Sequence, residues 1–134
     1  MAISYASTTG DITRDDLQTL FHSVEWDSGS YPDELLQAIQ GSHSVMTAWD
    51  GRRLIGLVNA LSDGVLTVYF HYMLIDPEYQ GRGIGKVMMD HMLDRYKTYQ
   101  TKVLIAYPDV VEFYGKLGFQ KEEGTTPLFI SHLI

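Results

Sequence analysis

The chain has 134 residues, 45% of them hydrophobic, with 10 basic against 17 acidic side chains and a net charge of −7. That length suits one domain with a packed core, and the absence of cysteine excludes disulfides, thiolate metal sites and a cysteine acyl-enzyme. The negative charge argues against nucleic acid, whose affinity rests on phosphate neutralisation, and no apolar run approaches the ~20 residues of a membrane span.

Along the chain, Ile3 to Ser7 reads as a first strand, and Thr13 or Asp15 caps a helix running to about Val24. Ser30-Tyr31-Pro32 opens a second helix, Asp33 to Gln40, with Pro near its first turn and Gly41 at its end. Ser44 to Trp49 and Leu54 to Leu61 read as strands joined by a hairpin at Asp50-Gly51. Ser62-Asp63-Gly64 then turns into a long central strand, Val65 to Ile75. A glycine-rich loop follows, and after it a helix to about Lys97 puts Ile84, Met88, Met92 and Tyr96 on one face. Val103 to Tyr107 is expected as a short buried strand. Asp109 and Glu112 have capping-box spacing at the start of a last helix, whose inward face is Val110, Phe113, Tyr114 and Leu117 and whose stop is Gly118. Phe119 onward, with Leu128 to Ile134, is expected to finish the sheet. The pattern is mixed α/β: antiparallel hairpins first, then strand-helix-strand crossovers. No linker or repeat interrupts it, so residues 1–134 read as a single domain.

The loop Asp76-Pro77-Glu78-Tyr79-Gln80-Gly81-Arg82-Gly83-Ile84-Gly85-Lys86 carries the most chemistry. A strand, a glycine-rich turn and a helix start make a phosphate cradle, because helix-start amides lack internal partners and glycine has no Cβ in the way. A P-loop needs Gly-x4-Gly-Lys-Ser/Thr; residue 80 is Gln and residue 87 is Val. A dinucleotide fingerprint needs Gly-x-Gly-x-x-Gly; from Gly81 or Gly83 the third glycine falls on Lys86 or Met88.

What remains, Gln80-x-x-Gly83-x-Gly85 after a strand ending Leu74-Ile75-Asp76-Pro77, resembles the acetyl-CoA-binding motif of the GNAT family, the GCN5-related N-acetyltransferases. Phe113-Tyr114-Gly115-Lys116-Leu117-Gly118-Phe119 resembles that family's Phe-Tyr-x-x-x-Gly-Phe helix, and the two segments lie in the expected order. The resemblance covers roughly residues 44 to 119 and implies a mixed sheet of six or seven strands, splayed between strands 4 and 5 and flanked by about four helices. It implies that backbone groups of Met73, Leu74 and Ile75 pair with the pantetheine arm. Amides of Gly81, Arg82, Gly83, Ile84, Gly85 and Lys86 would hold the pyrophosphate, and Gln80 would organise the loop. The side chains of Arg82 and Lys86 are either phosphate neighbours or a solvated face.

Acyl transfer to an amine needs a base, an oxyanion donor and help for the leaving thiolate. In the resemblance Tyr114 matches the general-acid tyrosine; otherwise it is a core aromatic. The N–H of Met73 is the oxyanion donor. Tyr69 stands where many members carry a glutamate, and His71 follows two residues later, on the same side unless a bulge intervenes. His71 is the base, titrating near ~6.5, or a structural strand histidine. Glu25, Trp26 and Tyr31 either line an acceptor pocket, an acid beside aromatics suiting an ammonium, or anchor a loop. The remaining histidines have no ligand spacing, so no metal is expected.

The reading is therefore an acetyl-CoA-dependent N-acetyltransferase acting directly on a primary amine of a small molecule or peptide, with a non-catalytic acyl-CoA sensor or interaction module as the alternative. No nucleic-acid or membrane partner is expected, and a homodimer stays open. The N-terminal residues carry no basic-then-apolar leader, so a cytoplasmic location is expected.

Overall fold

The computed structural model describes residues 2–133. In chain order the elements are β1 (Ser4–Ala6), α1 (Arg14–Ser23), α2 (Pro32–Gln40), β2 (Ser44–Asp50), β3 (Arg53–Ser62), β4 (Thr67–Ile75), α3 (Ile84–Arg95), β5 (Thr101–Leu104) and α4 (Val111–Lys116). Single 3₁₀ turns lie at Asp27–Ser30, Pro77–Tyr79 and Pro108–Val110. The strands form one sheet in the order β1-β2-β3-β4-β5, antiparallel except for the parallel β4–β5 pair.

Both faces of the sheet are covered. On one side, Leu17, Leu20 and Phe21 of α1 and Leu35 and Ile39 of α2 bury against Val45, Leu57 and Leu74. On the other, Ile84, Met88, Met92 and Tyr96 of the α3 segment pack on Met46, Val58, Val68 and Phe70, as the helical spacing predicts. Alternation along β2, with Val45 and Met46 in opposite cores, follows from the two-residue period of a strand. Thr13 caps α1: its hydroxyl accepts the Asp16 N–H at 3.1 Å, and its own N–H donates to the Asp16 carboxylate at 3.0 Å. Such a cap contributes about 1 kcal/mol.

Several expectations need correction. The sheet has five strands among the described residues, not six or seven. Leu128 and Ile130 are 91% and 107% exposed, and the segment around them lies in no ladder, so its apolar residues do not extend the sheet. Strand β4 starts at Thr67 rather than Val65 because the Asp63 carboxylate accepts the N–H groups of Val65, Leu66 and Thr67. Strand β5 starts earlier and stops sooner than the apolar run suggests, and it is an edge: Val103 is 42% exposed. Asp109 makes no cap; Pro108–Val110 forms a 3₁₀ turn, and α4 begins after it with no side-chain cap.

One irregularity positions the site. Val58 pairs with Met73 and Ala60 with Phe70, so the single residue Asn59 faces both His71 and Tyr72. This is a β-bulge, an extra residue on one strand that bends it and breaks its alternation. Asn59 is buried; its side-chain oxygen accepts the Tyr72 N–H at 2.8 Å, and its amide donates to Ser42 Oγ at 3.0 Å. The bulge puts His71 and Tyr72 on the same side, with ring centroids 4.0 Å apart and stacked, while Met73 and Ile75 turn toward α3. It also ends the parallel pairing: β4 and β5 are in register from Thr67–Thr101 to Phe70–Leu104 and then separate.

Candidate active site

A cleft of about 670 Å³ opens where β4 and β5 part. Its walls are the second half of β4, the glycine loop, the stretch Leu104–Tyr107 and the Phe113-Tyr114 face of α4. Met73, Leu74, Ile75, Gln80, Gly81, Gly83, Ile84, Gly85 and Lys86 all line it, as do His71 and Tyr114. Arg82 does not: its guanidinium donates to the Glu78 carbonyl at 3.0 Å and lies over the Tyr79 ring at 5.1 Å.

Backbone polarity follows from strand geometry. The Tyr72 N–H points toward β3, where Asn59 accepts it, and so does the Asp76 N–H, which donates to the Ile55 carbonyl. Successive peptide groups alternate edges, so the amides of Met73 and Ile75 face the gap. The Ile75 carbonyl on that edge accepts from Gln80 Nε2 at 2.9 Å. Gln80 thus ties the loop to the strand end.

At the loop, Gly81 and Gly83 have φ of 78° and 79°, and a Cβ on either would meet only open space. Gly85 has another reason: a Cβ there would lie 3.2 Å from Met73 Cε and 3.3 Å from Phe113 Cζ, so glycine lets α3 close on β4 and α4. The start of α3 reverses the usual charge preference. α1 has Asp15 and Asp16 in its first turn and α2 has Asp33 and Glu34, whereas α3 has Lys86 there and is capped by Gly83, which has no side chain to accept its amides. The positive end of α3 thus has neither an acidic side chain in its first turn nor a side-chain cap, an arrangement that suits an anion. Lys86 pairs with Asp90 at 2.6 Å on the exposed helix surface. Beneath the loop, buried Asp76 accepts the Glu78 N–H at 3.0 Å and pairs with Arg53 at 2.8 Å, fixing the turn.

A second cleft of about 390 Å³ lies on the α1 side, lined by Glu25, Trp26, Asp27, Tyr69 and Tyr72 among others. The two clefts share His71, Trp26 and Ile105–Tyr107. Glu25, one residue past the Val24 C-cap of α1, lies in the left-handed region at φ 61°, the one non-glycine residue of the described chain with positive φ. Tyr72 holds this wall together: its hydroxyl hydrogen-bonds Ser28 Oγ at 2.8 Å and its ring meets Phe21 edge-on at 4.9 Å. Tyr31, expected in the pocket, lines neither cleft and instead meets His132, with a hydroxyl-to-Nε2 distance of 3.3 Å.

Burial lowers the His71 pKa from its ordinary value, so the imidazole is neutral at neutral pH. Burial, with the neighbouring Tyr72 second, raises that of Tyr69, which therefore keeps its proton. Burial pushes Tyr114 up to about 12. Tyr72, Asp27, Ser28, Phe129, Ser131 and Leu133 were not legible as site residues. The signal for Tyr72 was Asn59, a polar residue inside the apolar run Leu57-Val58-Asn59-Ala60-Leu61.

Comparison with known proteins agrees with this geometry. The family model of the acetyltransferase (GNAT) domain matches residues 9–127. A soybean protein named histone acetyltransferase TAP1 is 32% identical over 92% of this chain, which spans 59% of the soybean protein's length. The uncharacterized N-acetyltransferase ycf52 of Porphyra purpurea is 31% identical over 93% of this chain and 75% of its own length. Among solved structures, the GNAT-family acetyltransferase SP0256 of Streptococcus pneumoniae superposes with a TM-score of 0.84 at 25% identity, covering 98% of this chain and 99% of that one.

Proposed function

Because this chain belongs to the GNAT acetyltransferase family, we propose that it transfers acetyl directly from acetyl-CoA to a primary amine of a small molecule or peptide. The observation that carries this reading is the meeting of two clefts at His71. One has an anion-ready helix start at one end and Tyr114 on its wall; the other has carboxylates and aromatic rings suited to an ammonium.

In this reading the loop amides from Gly81 to Lys86 hold the pyrophosphate, and the outward amides of Met73 and Ile75 hold the pantetheine arm as an added strand would. The residues fit such a group: glycine at two left-handed positions, a lysine rather than an acid in the first helical turn, and strand amides turned into the gap. The acceptor attacks as the neutral amine, and neutral His71 takes the proton that its nitrogen sheds as the C–N bond forms, directly or through water, while the thiolate leaves from the tetrahedral carbon. The Met73 N–H stabilises the oxyanion of the tetrahedral intermediate. The Tyr114 hydroxyl donates a hydrogen bond to the departing sulfur. Glu25 and Asp27 attract the cationic acceptor, which the net charge of −7 also favours.

Initial rates measured while both acetyl-CoA and an amine are varied test direct transfer. Intersecting double-reciprocal lines are expected. Parallel lines with an isolable acetyl-enzyme would refute it.

A further inference from the structure

The second cleft has an outer wall that no catalytic role requires. Phe129, Ser131 and Leu133 line it, with Phe129 and Leu133 52% and 38% exposed, while the flanking Leu128 and the intervening Ile130 are 91% and 107% exposed. That alternation is the two-residue period of an extended chain lying across an opening. Its residues share the lining of the cleft with Trp26, Tyr69, Tyr72 and Tyr107. The segment is tethered near its end: the Tyr31 hydroxyl and His132 Nε2 are 3.3 Å apart, with ring centroids at 6.1 Å. Tyr31 leads directly into α2, whose Leu35 and Ile39 are core residues, so the tether reaches rigid structure.

We propose that Phe129 and Leu133 are specificity-determining residues of the acceptor cleft, held in place by the Tyr31–His132 contact, and that they select amines carrying an apolar body. This rests on the reading of the second cleft as the acceptor site. An ammonium sits toward Glu25 and Asp27, and a flat or branched apolar group fills the space between the aromatic inner wall and the tail. An amine lacking that group gains nothing from the tail. Tyr31 and His132 are positioning residues.

Calorimetry on the full chain with 2-phenylethylamine and with ethylamine tests this without requiring turnover. The wild type binds phenylethylamine more tightly than ethylamine. In the Phe129→Ala/Leu133→Ala double variant, phenylethylamine binding weakens on the order of tenfold, whereas ethylamine and CoA binding are unchanged. His132→Ala reproduces the loss, and His132→Gln, which keeps a hydrogen-bonding group, restores most of it. Equal affinity of the wild type for both amines, or a double variant with unchanged preference, overturns the proposal. Tail-dependent binding without acetylation of the bound amine would keep the wall and sink the transferase reading.

Discussion

Replacing Tyr114 by Phe isolates one hydroxyl. The ring is 8% exposed and meets Phe113 and Phe119 edge-on at centroid distances of 5.1 and 5.9 Å, contacts that phenylalanine keeps. With its pKa at about 12, the tyrosine is a poor full proton donor. Transfer to a thiolate of ordinary pKa ~8.5 is uphill by ~3.5 units, about 5 kcal/mol. The hydroxyl therefore helps as a hydrogen-bond donor to developing negative charge, an interaction of about 1.5–3 kcal/mol. The acetyl-transfer step, read by rapid quench so that chemistry limits the signal, should slow by about 10- to 150-fold. Because the group stays protonated at every pH below about 12, the loss should be uniform with pH and remove no ionisation from the profile. Its stability signature has the opposite character. Above the ordinary value of 10.0, the unfolded chain releases this proton while the folded one retains it. Stability therefore falls as pH rises from 10 toward 12, and the Phe variant loses that slope. A Tyr114→Phe enzyme with the wild-type transfer rate would refute the assignment, and one that lost a basic limb near pH 9 would refute the hydrogen-bond argument.

His71→Gln should lower turnover at neutral pH by at least ~10²-fold and abolish an acid limb whose midpoint lies below 6.5, since burial lowers this pKa; acetyl-CoA affinity should stay constant by calorimetry. The same shift means that wild-type stability contributed by neutral His71 is present above pH 6.5 and is lost as pH falls through the depressed folded-state value, a dependence that thermal melts of the variant should lack. Gly83→Val forces a β-branched residue to φ 79°, a strain of about 1–3 kcal/mol, yet its Cβ meets only open space; the domain should fold and bind CoA at least ~10-fold more weakly. Asn59→Ala leaves the Tyr72 N–H without its acceptor and should cost about 1–3 kcal/mol in urea unfolding, with a raised KM for the amine as the bulge relaxes.

What was legible in the sequence was what local chemistry dictates. The glycine loop before a helix and the buried face of α3 appear where spacing put them, Thr13 takes the cap that the sequence left open between Thr13 and Asp15, and the Phe113-Tyr114 helix is present but starts without the Asp109 cap. Features set by partners distant in sequence were not legible. The bulge depends on Asn59 facing His71 and Tyr72 across two strands, and the end of β5 depends on where β4 bends away. Leu128, Phe129, Ile130 and Leu133 read as a final strand because they are apolar, but apolarity cannot say whether a ladder partner is within reach, and here Phe129, Ser131 and Leu133 line a cleft instead. Tyr31 was read as either a pocket aromatic or a loop anchor because it lies where the first two helices join; its contact lies 101 residues away, at His132.

The central claim is that acetyl passes between the two clefts at His71, and free-thiol release from acetyl-CoA measures it most directly. With a panel of aromatic amines, polyamines, amino acids and lysine peptides, thiol should appear only when an acceptor amine is present and in equal amount to acetylated amine. Tight binding of acetyl-CoA with no amine-dependent thiol release across the panel would contradict the account and leave an acyl-CoA sensor in its place.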